Sequence, residues 1–352
     1  MKENFSIKRL KITGIIAETA NAKTFILEPL DGWQPEYSPG QFLTLVFYTR
    51  HGEKRRSYSI SSAATEPLSI TIKKVDNGEF SRLLTSHAKP GDILFTAGIS
   101  GMFLLPVNLH AVQLYFFIAA GSGITPCFSM IKTILATCNS DIVLIYSNRS
   151  EEDTIFLIQL KELQQQYQNR FTIVFLFSNI YDVERSRLSN WLLNRLLDKY
   201  LKAPAAHALF YLCGPFDYMR MVNITLLNHV PAQNIFKENF STLPRLLVPK
   251  PPDTDAHVAR IHINGETYQL LVQYPQSILA AAKANKIFLP YSCEAGRCGS
   301  CEAGRCGSCV ANCISGKVWM AYNEVLTDEE IEKGRVLLCQ GYPVGGDVEI
   351  AF

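Results

Sequence analysis

Histidine is scarce in this chain, and an excess of either charge is nearly absent. Its seven histidines show no pairing at metal-ligand spacing, and none adjoins the cysteine-rich segment near the C-terminal end, which disfavours a Rieske-type centre. With 34 Lys and Arg against 32 Asp and Glu, the net charge of +2 gives no general attraction to nucleic acid or to an anionic membrane. No uninterrupted apolar run approaches the length of a membrane span, and the opening MKENFSIKRLKI has no apolar core of an export signal. A cytoplasmic protein with reduced thiols is therefore expected. No Gly-x-Ser-x-Gly elbow, P-loop or paired carboxylate stands out either.

Cysteine is what the chain does have, and it is concentrated. Cys293, Cys298 and Cys301 form a Cys-x4-Cys-x2-Cys run, Cys301, Cys306 and Cys309 form the same run again, and Cys339 follows at a distance. That is the plant-type spacing for a 2Fe-2S cluster held by four thiolates. A loop that wraps three thiolates round one small, soft cluster needs permissive backbone, which Gly296, Gly299, Gly304 and Gly307 supply. A zinc knuckle would use paired Cys-x2-Cys elements rather than a four-residue gap. A disulfide framework does not suit a chain without a sign of export.

The motif is written twice. Residues 293–300 and 301–308 both read CEAGRCGS, a perfect eight-residue tandem copy. Only one copy can bind a cluster together with Cys339, and a mixed set with the extra eight residues bulging between ligands is a further possibility. Cys313 reads as a small core residue.

At 352 residues and 47% hydrophobic content, two or three domains with sizeable cores are expected. Residues 1–107 read as short strands, such as Gln41–Phe47 and Leu68–Lys74, separated by turn signals at Pro39-Gly40 and Pro90-Gly91. An antiparallel barrel is expected. Within it, Arg56, Tyr58 and Ser59 read as alternating strand positions that together face one ligand, with a cation for phosphate, a ring for stacking and a hydroxyl for a heterocycle. Residues 108–240 instead alternate near-continuous apolar strands with helices, as in a parallel sheet covered on both faces. Its first strand, Leu114–Ala120, runs into Gly121-Ser122-Gly123-Ile124-Thr125-Pro126, a strand, Gly-rich turn and helix start that together make a diphosphate site. After the second strand, Arg149 could meet a 2'-phosphate, but Glu151, Glu152 and Asp153 follow at once, so the nicotinamide is left as NADPH or NADH. Residues 241–256, with four prolines, read as a stiff linker, and 257–352 read as two strands about Asn264-Gly265, a helix over 277–285 and then the cysteine loop.

Pro39-Gly40-Gln41-Phe42, Arg56-Ser-Tyr-Ser, Lys73-Lys74-Val75 with Gly78 and Ser81, and Pro90-Gly91-Asp92 resemble, in order, the flavin domain of the ferredoxin reductase family. The resemblance implies that Arg56, Tyr58, Ser59, Gly78 and Ser81 contact a flavin, FAD rather than FMN because the pyrophosphate turn is present. Where members often carry Gly-Pro-x-Gly-x-Phe, this chain has Gly98-Ile99-Ser100-Gly101-Met102-Phe103, which leaves the local loop shape open. In the same family Cys213-Gly214-Pro215 sits where nicotinamide meets flavin, and Glu238-Asn239-Phe240 resembles the Glu-x-Phe segment that closes the flavin site. Cys213 and Glu238 are thus implied to be catalytic, and Gly121, Gly123, Thr125, Pro126, Arg149, Gly214, Pro215 and Phe240 to bind cofactor. The bland reading of Cys213 is a buried, inert cysteine.

The C-terminal region resembles a plant-type ferredoxin of α+β, β-grasp fold. Such ferredoxins keep about the spacing of Cys309 to Cys339, 30 positions, rather than the 38 from Cys301 to Cys339, which implies Cys301, Cys306, Cys309 and Cys339 as ligands. The alternative register is Cys293, Cys298 and Cys301. Nearly the whole chain resembles reductase components of multicomponent oxygenases, particularly the phenylacetyl-CoA epoxidase type. That implies electrons passing from NAD(P)H through FAD and a 2Fe-2S cluster to an oxygenase, epoxidase or desaturase component. A stand-alone diaphorase or flavin reductase, and an iron or redox sensor, are the alternatives.

Overall fold

The computed structural model describes residues 7–50, 52–76, 78–182, 184–240, 250–291, 309–323, 326 and 328–352. Six strands come first: β1 (Lys8–Thr19), β2 (Ala22–Pro29), β3 (Phe42–Thr49), β4 (Gly52–Ser59), β5 (Ser69–Lys73) and β6 (Ile93–Ser100), with helix α1 (Glu79–His87) between the last two. They pair antiparallel in the order β4-β3-β6-β1-β2-β5, and a bridge from Ile60 to Ile70 joins the two ends of the sheet. Closure removes the exposed edges that an open sheet would leave. Alternate residues, including Leu10, Ile12, Phe25, Leu43, Leu45 and Ile70, fill the interior.

The segment lacking the family's proline keeps a defined shape. Gly98 and Ser100 belong to β6, where Thr44 pairs with Gly98 and Leu45 with Thr96, so one extra residue bulges. Gly98 takes φ of 114°, a backbone state that a side chain would resist, and Thr96 Oγ1 accepts its N–H at 3.0 Å.

The second sheet is parallel. Strands β7 (Leu114–Ala120), β8 (Asp141–Asn148), β9 (Phe171–Phe177), β10 (Ala208–Cys213) and β11 (Ile235–Glu238) lie in the order β11-β10-β7-β8-β9. Helices α2 (Ile124–Thr137), α3 (Leu157–Gln166), α4 (Asn190–Tyr200) and α5 (Phe216–Leu226) connect them. The apolar run of β7 is divided residue by residue between two cores: Tyr115, Phe117 and Ala119 enter one, and Leu114, Phe116 and Ile118 the other. This is the period-two signature of a strand buried on both faces.

The C-terminal sheet contains β12 (His257–Ile263), β13 (Glu266–Val272), β14 (Val310–Ser315), β16 (Arg335–Leu337) and β18 (Val348–Ala351), in the order β13-β12-β18-β14-β16. A smaller ribbon pairs β15 (Val318–Met320) with β17 (Gly341–Pro343); α7 (Asp328–Glu332) lies between β15 and β16 in the chain. Asn264 and Gly265 both have positive φ, as a tight two-residue hairpin requires. Helix α6 (Ile278–Ala284) begins at Ser277, whose hydroxyl accepts the Ala280 N–H at 3.3 Å, and buries Ile278, Leu279, Ala281 and Ala282 in the core of this sheet.

The barrel and the parallel sheet meet through small, close contacts. Gly40 donates its N–H to Ser129 Oγ at 3.2 Å, and a β-carbon on Gly40 would stand 1.9 Å from the Phe103 carbonyl oxygen. Phe103 packs edge-on against Tyr211, with ring centroids 5.4 Å apart, and the Tyr211 hydroxyl donates to the Leu104 carbonyl at 3.0 Å. Lys132 and Glu66 form an ion pair across the same junction.

Candidate active site

The central crevice lies where strand order reverses. Chain direction takes β7 to β8 and β9 on one side, while β10 and β11 lie on the other, so the loops leaving β7 and β10 part above the sheet. Such a switch point is where open parallel sheets bind ligands. Here the loops are the turn Gly121–Gly123, which enters α2, and Gly214-Pro215, which enters α5.

Glycine is required at their closest approach. A β-carbon on Gly123 would come 2.1 Å from the Cys213 carbonyl oxygen, and one on Gly214 would meet Ala120 Cβ at 3.0 Å. Between the loops is a crevice of about 320 Å³ lined by Lys73, Ala120 to Gly123, Gly214 to Phe216, and Phe240. The N-terminus of α2 has no side-chain cap, and the Lys73 Nζ stands 3.6 Å from where a Gly121 β-carbon would be. Uncapped N–H groups, a helix dipole and a lysine fit a phosphate-bearing ligand.

Cys213 and Glu238 meet at the ends of β10 and β11, where they are register partners. The Glu238 Oε2 atom is buried with no hydrogen-bond partner, and burial pushes this carboxyl up to about 8. Burial also pushes the Cys213 thiol well up, so it stands there as a neutral thiol rather than a thiolate nucleophile. Such a group suits contact with a flat, uncharged ring more than bond formation.

The barrel contributes the second surface. Arg56 is exposed and its guanidinium carbon lies 5.2 Å from the Phe80 ring, which is carried by α1. Tyr58 is half-buried against the barrel core. Strand alternation places Arg56 and Tyr58 on one face, and Arg55, Ser57 and Ser59 on the other. Ser59 therefore does not share the face of Arg56 and Tyr58, unlike the single ligand-facing set that the motif alone implies. Instead Ser59 and Ser100 flank Phe42 in register on β4, β3 and β6, both hydroxyls buried without a partner. Two orphan hydroxyls on one level of a barrel fit a polar heterocycle that would satisfy them. Gly78 begins α1, and Ser81 uses its hydroxyl to accept the Val75 N–H at 3.2 Å and to donate to the Gly78 carbonyl at 3.3 Å, which shapes the turn itself.

Not every residue singled out from the sequence lines the crevice. Thr125 and Pro126 are buried in the first turn of α2, where Thr125 Oγ1 donates to the Ser122 carbonyl at 2.9 Å, and Arg149 is exposed past the end of β8. Lys73, Ser100 and Phe216 are given no site role by the sequence reading, although Lys73 and Ser100 lie in segments that it compares with the flavin-domain pattern.

Cys309 and Cys339 are brought together in the C-terminal module. Both are buried, and their sulfurs lie 3.1 Å apart across 30 residues. That is far beyond a disulfide bond, and it leaves the two sulfurs close enough for both to reach one metal ion. Cys293, Cys298, Cys301 and Cys306 lie outside the described residues. Among the described residues no helix is long and apolar enough to cross a membrane.

These sites on three consecutive sheets fit a nicotinamide-dependent reductase with an iron–sulfur module, and the comparisons with known proteins show that class. The Oxidoreductase NAD-binding domain family matches residues 117–223. The 2Fe-2S iron-sulfur cluster binding domain family matches twice, over 261–303 and 300–344, the two matches dividing within the duplicated segment. A 3-ketosteroid-9-alpha-monooxygenase ferredoxin reductase component of Mycobacterium tuberculosis is 30% identical, over 98% of this chain and 96% of that protein. One of the component chains of the 1,2-phenylacetyl-CoA epoxidase of Escherichia coli is 29% identical over 97% of each. Among solved structures, phthalate dioxygenase reductase, described as a modular structure for electron transfer from pyridine nucleotides to [2Fe-2S], superposes with a TM-score of 0.61 at 22% identity, covering 99% of this chain and 98% of its own. This chain belongs to the family of oxygenase ferredoxin reductase components.

Proposed function

We propose that the protein carries electrons from NADPH or NADH, through FAD and a 2Fe-2S cluster, to an oxygenase, epoxidase or desaturase component in the cytoplasm. The observation that carries this reading is the buried Cys309–Cys339 pair in the same chain as the Gly123 crevice, which joins a thiolate site to a dinucleotide site. The bound flavin would supply the exchange between the two-electron chemistry of a nicotinamide and the one-electron chemistry of the cluster.

The chain's own residues would bind and orient. The α2 N-terminus and Lys73 would hold the nicotinamide diphosphate, and Cys213, Gly214 and Pro215 would let a flat ring approach without obstruction. Arg56 and the Gly78–Ser81 turn would hold flavin phosphates and Tyr58 would cover the ring from its own face of β4, while the Ser59 hydroxyl, on the other face at the last residue of the strand, would have to meet a polar edge that extends past the strand end. Phe240 would close the crevice, excluding water, while Glu238 would hold a proton at Oε2 beside Cys213. Cys301 and Cys306 would join Cys309 and Cys339 as ligands. The corresponding division of labour assigns 1–107 to flavin, 108–240 to nicotinamide and 257–352 to the cluster, with 241–256 as linker.

The test is an absorption spectrum of anaerobically purified protein, with iron, sulfide and flavin counted, before and after NADPH or NADH. Two irons and one flavin per chain, both bleached by nucleotide, are expected. Flavin alone, or iron that stays unbleached, would withdraw the reading.

A further inference from the structure

Strand β4 carries the flavin motif, and its buried arginine belongs to a different contact. Arg55 is only 5% exposed, and its guanidinium sits against the segment that leads into the cysteine-rich loop. Its Nη1 donates to the Tyr291 carbonyl at 3.1 Å, a contact between residues 236 positions apart. Its guanidinium carbon lies 4.1 Å from the Tyr291 ring centroid and 5.2 Å from that of Phe288. Glu53, two positions along β4, accepts from Arg55 Nε at 2.7 Å and from the Tyr291 hydroxyl at 3.4 Å. Lys283 of α6 completes the cluster, its Nζ 4.4 Å from the centroid of the same Tyr291 ring.

We propose that Arg55 is a positioning residue that docks the iron–sulfur module on the flavin-binding strand. The proposal rests on the flavin and cluster assignments above. Arg55 is the immediate neighbour of Arg56 and shares a strand face with Ser59, so one strand addresses the flavin site and the cluster module together. At its other end, Tyr291 is packed in the same core as Cys309 and Cys339. The route therefore runs along one face of β4 from Ser59 to Arg55, four positions away, and then through Tyr291 to the core that holds both cysteines.

The chemistry of the contact favours position over bulk adhesion. The guanidinium recognises a backbone carbonyl and a ring face, both of which depend on orientation, and among the described residues it has one carboxylate partner, Glu53. Among the described residues its Nη2 is buried without a hydrogen-bond partner, a cost that generic packing would not require. A nicotinamide delivers two electrons as hydride, and a 2Fe-2S cluster takes one at a time, so each turnover crosses this junction twice. A junction used twice per cycle is one where fixed separation counts.

The experiment uses the full chain with flavin and cluster in place, as Arg55→Met, Arg55→Lys and Tyr291→Ala, with the exposed neighbour Lys54→Met as control. Anaerobic stopped-flow with NADPH or NADH separates flavin bleaching from cluster bleaching. Hydrogen exchange over 53–55 and 288–291 reports docking in the oxidised, resting protein. In Arg55→Met and Tyr291→Ala, flavin bleaching should keep its rate, cluster bleaching should slow by about tenfold or more, and exchange at 288–291 should quicken. Arg55→Lys, which keeps charge but loses the fork, should fall between, and Lys54→Met should match the parent. Parental cluster bleaching and parental protection in both Arg55→Met and Tyr291→Ala would overturn the proposal. A parent whose flavin bleaches but whose cluster never does would overturn the proposed function instead, and the exchange result would still decide whether Arg55 docks the module.

Discussion

Gly123 sits beneath Cys213 so closely that a β-carbon would stand 2.1 Å from the Cys213 carbonyl oxygen and 2.4 Å from its carbon. Both obstacles are backbone, which has no rotamer to yield. Gly123→Ala should therefore push the α2 turn away from β10 and destabilise the parallel-sheet domain by on the order of 1–3 kcal/mol. Nicotinamide should bind more weakly, while iron content and the flavin spectrum stay at parental values. Thermal unfolding and nucleotide titration of the variant check this.

Glu238 gives a pH dependence whose sign is fixed. Its carboxyl is raised from 4.5 to about 8 by burial, so between those values the folded chain keeps a proton that the unfolded chain has released. Stability contributed by this group is present below about 4.5, is lost as pH rises towards 8, and is level above. Glu238→Gln should remove that loss, so its melting temperature should exceed the parent's by more at pH 9 than at pH 5. With the Glu238 proton held beside Cys213 as proposed, flavin bleaching in the parent should change near pH 8, and the Gln variant should lose that limb.

The two copies of CEAGRCGS make opposite predictions for single cysteines. With Cys309 and Cys339 already paired in the core, Cys309→Ser and Cys306→Ser should lose most of the iron and the visible absorption of the cluster. Cys293→Ser and Cys298→Ser should keep both. Iron and sulfide counts on the four variants decide, and the reverse pattern would assign the cluster to the first copy.

Much of this architecture is legible in the sequence because local pattern and tertiary role agree. The Gly121–Pro126 turn follows an apolar strand directly, and Ser277 caps α6 where the expected helix over 277–285 begins. What stays hidden depends on distant packing. Lys73 reaches the crevice only because the end of β5 in the barrel brings its Nζ beside the Gly121 turn after β7. Ser100 joins Ser59 only through the register of β3 between them. Arg55 resembles its neighbour Arg56 in sequence, and only the strand's alternation and the arrival of Tyr291 separate their tasks. The motif falls on one strand, β4, but assigns its three side chains to one face, because residue types alone do not count the period.

Gly40 has a consequence for anyone recombining such proteins. Its missing side chain leaves room for the Phe103 carbonyl and for the methyl of Met130, which a β-carbon would meet at 1.9 and 2.2 Å, while its N–H is received by Ser129. Barrel and parallel sheet are thus fitted partners rather than interchangeable parts. A chimera that imports a foreign barrel needs glycine at this one seam, and one that imports a foreign helix α2 needs a serine and a slender side chain opposite it.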